Sequence, residues 1–154
     1  VFLSGCTIRH GTRSEGLGIS MNRRHQTQWA AQFAVASELC KRGYEVAFTM
    51  GNHPEADLMV LSQGKKAFVV DVKGPYKKNP FVIKPKDVRS DLYYILAFVP
   101  DGAQNDFYIL SQEQVRKTTA AELKRLGRDQ DYSMPGLSWP CLKPFKDKWT
   151  TLPS

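Results

Sequence analysis

Cysteine is scarce in this 154-residue chain. Cys6, Cys40 and Cys141 stand far apart, without the close pairs of a zinc site or the density of a disulfide framework. That odd, scattered set fits a reducing compartment, and a cytoplasmic location is expected. Long apolar runs are missing as well: Leu92 to Val99, the longest, falls far short of the ~20 residues a membrane helix needs. No charged-then-apolar signal peptide opens the chain, so no membrane partner is expected. Internal repeats and low-complexity tracts are absent too. Negative charge is in short supply, since 22 Lys and Arg against 15 Asp and Glu leave a formal charge of +7. Such an imbalance points to a polyanionic partner, most economically nucleic acid.

With 42% hydrophobic residues, the chain is long enough for one domain with a sizeable core. Residues 1–20 show no sustained period and are rich in Gly, Ser and Thr, whereas Met21 precedes a strong helical pattern. Met21 therefore reads as the natural start, residues 1–20 as a flexible or non-native leader, and residues 21–154 as a single domain. The alternative for the leader is a genuine arm whose Arg9 and Arg13 touch phosphate.

Between about Asn22 and Arg42, Trp29, Phe33, Ala36, Leu39 and Cys40 fall within one arc at 100° per residue, and Gly43 follows as a stop. Gln32 lies inside that arc and needs a partner there, in the core or at a site. Glu38 projects about 120° away from it. Strand-like segments follow at Tyr44–Thr49, Asp57–Leu61 and Ala67–Lys73, then at Leu92–Val99 and Asp106–Leu110. A second helix is expected from Ser111 to Leu126, with Ser111 and Gln114 placed as a capping box. The proline-rich tail, with Trp139, Phe145 and Trp149, is expected to pack over the core.

Two of these strands carry charge where a buried hairpin would not. If Gln63, Gly64 and Lys65 form a three-residue loop, Ser62 faces Lys66 and Asp57 faces Asp71 on the same side of the sheet; a two-residue loop would place them on opposite faces. Lys73 shares the face of Asp71 by the strand period of two. Opposed carboxylates with Cβ atoms about 5 Å apart repel unless something neutralises them. Two carboxylates and an ammonium suit a hard divalent cation and an attacking water beside a phosphate. The same residues would equally make a salt-bridged strand end, with Asp71 on Lys73 or Lys66 and Asp57 serving the turn after Pro54.

Taken in order, "AAQFAVASELCKRGYEV", Asp57 in "PEADLMV" and "DVK" (Asp71, Val72, Lys73) resemble the helix, first acid and signature of the PD-(D/E)XK nuclease superfamily, the group of restriction endonucleases and archaeal Holliday-junction resolvases. The resemblance covers roughly residues 26–74. It implies an α/β fold, a restriction endonuclease-like three-layer core whose mixed β-sheet is flanked by helices. It also implies Mg2+ or Mn2+ on Asp57, Asp71 and the Val72 carbonyl, with Lys73 positioning or activating the nucleophilic water, and hydrolysis of DNA phosphodiester bonds. Two departures stand out. Gln32 occupies the helix position where the family usually has glutamate, and the motif's proline is Pro54, with Ala56 directly before Asp57. Gln32 would then support the metal shell without adding charge.

Lys65, Lys66, Lys77, Lys78, Lys84, Lys86 and Arg89, with Tyr76 and Phe81 interleaved, make a candidate DNA groove beginning beside Lys73. The alternative is a solvated basic loop. His53 reads as turn chemistry in Asn52-His53-Pro54, and His10 and His25 lack paired ligands, so no histidine is given a role. Cutting both strands of a duplex would favour a homodimer. Besides the endonuclease, two readings stay open: a catalytically weakened nucleic-acid-binding or interaction module on the same scaffold, and an unrelated basic α/β domain whose Asp-x-Lys is structural.

Overall fold

Alternation along two paired inner strands divides the core. On β3 (Ala67–Lys73), Phe68, Val70 and Val72 point to one face and Val69 and Asp71 to the other; on β5 (Leu92–Phe98), Ile95 and Ala97 oppose Leu92, Tyr94 and Leu96. The computed structural model describes residues 23–50, 56–75, 77–130, 132 and 135–154. Its five-stranded sheet adds β1 (Glu45–Phe48), β2 (Leu58–Leu61) and β6 (Asp106–Ser111) in the order β1-β2-β3-β5-β6. Only the β3–β5 pairing within it is parallel, so the sheet is mixed. Helix α1 (Arg23–Lys41) covers the first face, and α2 (Gln112–Arg125) covers the second. A small ribbon of β4 (Phe81–Val82) with β7 (Gly136–Leu137) and the short α3 (Trp139–Leu142) lie on the α2 side. Among the described residues, no helix is long and apolar enough to cross a membrane.

The hairpin expected between residues 62 and 66 forms. Leu58 pairs with Val70 and Leu61 with Ala67, and Lys65 takes a left-handed φ of 61° after a turn closed by its amide on the Ser62 carbonyl at 2.9 Å. That register sets Asp57 opposite Asp71. At α2, Ser111 Oγ accepts from the Gln114 amide at 3.2 Å while Gln114 Oε1 accepts from the Ser111 amide at 2.8 Å, completing the capping box.

Helix α1 sits rotated from the arc its aromatics suggest. Its buried residues are Ala31, Gln32, Val35, Ala36 and Leu39, whereas Phe33 is 59% exposed and Trp29 and Cys40 also face solvent. The reason is close packing: a Cβ added at Gly74, just after β3, would lie 2.4 Å from Ala31 Cβ. Only small residues fit that approach, so the bulky rings are displaced to the rim, where Trp29 stacks on Phe33 and Phe33 meets Phe48. The tail packs as expected. Trp139 contacts Phe81, Phe98 and Tyr108, and Trp149 meets Phe107 with the Arg42 guanidinium 4.1 Å above its ring.

Candidate active site

The close approach at Gly74 brings two glutamines of α1, one turn apart, to the end of the β2–β3 pair. Gln32 Nε2 donates to Asp57 Oδ1 at 2.7 Å, and Gln28 Nε2 donates to the Val72 carbonyl at 2.9 Å. The other Asp57 oxygen accepts from the Val72 amide at 2.8 Å. Gln32 is therefore both a buried core residue and a partner of the first acid. Glu38, as its helical position predicts, points elsewhere and pairs with Lys41 and Arg42.

Asp71 is 2% exposed, and each of its oxygens is held by an ammonium at 2.5 Å: Lys73 on Oδ1 and Lys86 on Oδ2. Asp71 faces Asp57 closely enough to act on the ionisation of Asp57. Burial pushes the Asp57 carboxyl above the ordinary carboxylate range, the Val72 amide pulls it back, and the negative charge and hydrogen-bonding contact of Asp71 raise it further. Among the described residues, no three His, Cys, Asp or Glu side chains gather into a metal cluster. The pair of acids is completed by an amide, not by a third acid.

Beside this network opens a cleft of about 720 Å3 lined by Arg24, His25, Gln28, Lys73, Lys84 and Lys86, with Gly74, Pro75, Pro80, Phe81 and Val82 supplying its apolar and backbone surface. Among the described residues, five basic side chains and no acid line it. Of the residues proposed from sequence as a groove, Lys84 and Lys86 are here with Lys73. Lys77 and Lys78 are exposed nearby in the chain, Lys78 lying 5.7 Å from the Phe98 ring centroid and 5.8 Å from that of Trp139. Tyr76 and His53 lie outside the described residues, as do residues 1–20.

Three residues of the expected groove are elsewhere. Lys65 and Lys66 sit at the tip of the hairpin, separated from Lys73 by the seven residues of β3, roughly 20 Å of extended chain. Lys65 there pairs with Glu45. Arg89 lies by the opposite end of β3, its guanidinium on Asp91 and its amide on Gln112 Oε1 at 2.6 Å. Nearness in sequence to Lys73 is no guide to nearness in space, because an extended strand carries its ends apart. Conversely, Arg24, His25 and Gln28 received no role from sequence. The available signal was the helical period, since residues 25, 28 and 32 share one face of α1.

The fold and site thus define a mixed α/β domain with paired aspartates and two lysines at one end of its sheet, opening on a basic cleft. Comparisons with protein-family models, curated proteins and solved structures give no match for the chain.

Proposed function

We propose that this chain is a metal-dependent endonuclease of the PD-(D/E)XK type, on a restriction endonuclease-like core, that hydrolyses DNA phosphodiester bonds. The observation that carries the reading is the opposition of Asp57 and Asp71, with Lys73 on Asp71 and a cleft rich in basic side chains alongside. The donor set fits Mg2+ or Mn2+: two carboxylates and the Val72 carbonyl are hard oxygen ligands, and a cation held by them would offset both the burial that raises the Asp57 carboxyl and the repulsion by Asp71 that adds to it. When bound, such an ion would supply charge neutralisation at the phosphate and a lowered pKa for water.

The chain's own residues supply the rest. Lys73, on the rim of the cleft, presents positive charge to the phosphate oxygens as negative charge grows in the transition state. Gln32 orients Asp57 through its amide, and Gln28 fixes the Val72 carbonyl. Arg24, His25 and Lys84 hold flanking phosphates, which position the strand without reading its sequence. A homodimer would be the arrangement for cutting both strands of a duplex.

A second reading is favoured by Gln32, which leaves the site one charge short: a nucleic-acid-binding module whose chemistry has weakened. The two separate on incubation with single-stranded, duplex and branched DNA in Mg2+ or Mn2+. The nuclease reading expects chelator-sensitive cleavage that is lost in Lys73→Ala with binding retained. Cleavage unchanged in Lys73→Ala and Asp71→Asn would reject it. Wild type that binds but is inert, with Gln32→Glu cutting, would establish the weakened module. For either, affinity falls with salt, and Lys84→Ala flattens the log–log slope by about one.

A further inference from the structure

Lys86 was expected from sequence to be one of several groove lysines, yet its ammonium is seated on Asp71 Oδ2 with its side chain only 16% exposed. It comes from the irregular segment between β4 and β5, not from a strand, and its ammonium lies 5.8 Å from the Tyr94 ring centroid. Tyr94 is the register partner of Asp71 on β5, so the lysine is placed over the strand pair that carries the acid. Its loop is anchored just beyond it: Gln112 Nε2 donates to the Asp87 carbonyl at 2.7 Å and Gln112 Oε1 accepts from the Arg89 amide. Gln112 is itself 4% exposed and lies at the start of α2. The loop is held at 87–89, while Lys86 reaches the acid on a flexible four-carbon stem.

Resting on the nuclease reading, we infer that Lys86 is an exchangeable counter-ion, occupying in the metal-free protein the place on Asp71 that a divalent cation takes, and moving into the basic cleft to meet DNA phosphate when the cation enters. Two features of the site support exchange. Asp71 retains Lys73 on Oδ1, so departure of Lys86 does not leave the buried carboxylate bare. Lys86 also lines the cleft, so its displaced ammonium has an open space shared with Lys84 and Lys73 in which an anion would receive it. The consequence is coupling: phosphate in the cleft draws Lys86 off Asp71 and favours the cation, and the cation in turn favours phosphate, because linkage is reciprocal. Divalent metal and DNA therefore each strengthen binding of the other.

The test uses Mn2+ titrated calorimetrically into wild type and Lys86→Met, which keeps the stem and removes the charge. Lys86→Met is expected to bind Mn2+ at least about tenfold tighter, since a contacting unit charge no longer competes. Amine acylation read by mass spectrometry follows wild type independently of any variant's folding. Lys86 should be protected without Mn2+ and become reactive with it, while exposed Lys77 stays constant. Wild type that binds Mn2+ with no change in Lys86 labelling and no gain in Lys86→Met overturns the inference and leaves the nuclease reading standing. Mn2+ binding by Lys86→Met alone would make Lys86 a fixed counter-ion and overturns exchange together with a metal-dependent wild-type enzyme. Absence of Mn2+ binding in both proteins overturns both.

Discussion

Two acids are buried, Asp71 in the sheet and Glu122 on α2, and they are neutralised differently. Glu122, 5% exposed, receives the Arg125 guanidinium in a bidentate fork with both bonds at 2.9 Å, and Ser138 adds a further hydrogen bond. These partners hold its carboxyl at about 2. Asp71 instead has two separate lysines and a second aspartate facing it. A planar fork fixes one geometry and satisfies both oxygens at once, whereas two ammoniums can leave one at a time. Burial of charge alone therefore does not mark a site. What distinguishes the sheet end is a like charge kept at close range, with counter-ions that can exchange.

The two acids are expected to differ most in the chemistry beside them. Lys73→Ala is expected to lower single-turnover DNA cleavage by about 100-fold or more, the cost of removing one group that stabilises transition-state charge. Arg125→Lys should leave that rate unchanged, and a parallel loss in both would deny any special role to the sheet end.

Gly74→Ala should damage the site from beneath, since the new Cβ overlaps Ala31 Cβ and the Thr27 carbonyl stands 3.2 Å away. We expect a stability loss of about 3 kcal/mol in urea unfolding, at the upper end for overpacking. Glu122→Ala should cost about 2 kcal/mol through lost charged hydrogen bonds, without changing metal affinity. A change in Mn2+ binding in that variant would mean that the two acids are coupled.

The smallest effects are in the pH dependence, and their signs are opposite. Glu122 is depressed on folding, so its contribution is complete above about pH 4.5 and is lost as pH falls toward 2. Asp57 is raised, so the folded state binds its proton more readily than the unfolded chain. Stability from that group rises as pH falls from the raised value toward 3.8. Urea midpoints measured from pH 7 to pH 2 should lose the acid-side decline in Glu122→Gln and the opposing gain in Asp57→Asn. Identical profiles in the two variants would remove the distinction.

Much of the local architecture was legible before the fold. The three-residue loop at 63–65 fixed the face shared by Asp57 and Asp71, because side chains alternate with a period of two and any slip of one residue reverses them. The Ser111–Gln114 capping box marked the start of α2, since both of its hydrogen bonds are made within four residues. The rotation of α1 was not legible. Hydrophobicity favoured Trp29 and Phe33, but the distance of approach to Gly74 selected Ala31, and with it brought Gln28 and Gln32 to the acids. Nor could sequence separate the lysines. Lys66 is seven residues from Lys73 and Lys86 is thirteen, yet the strand carries the first away and the loop, held by Gln112, returns the second to Asp71. Short-range periodicity settled which faces the side chains take; long-range packing settled which of them meet, because the path of an irregular loop depends on contacts with residues remote in the chain.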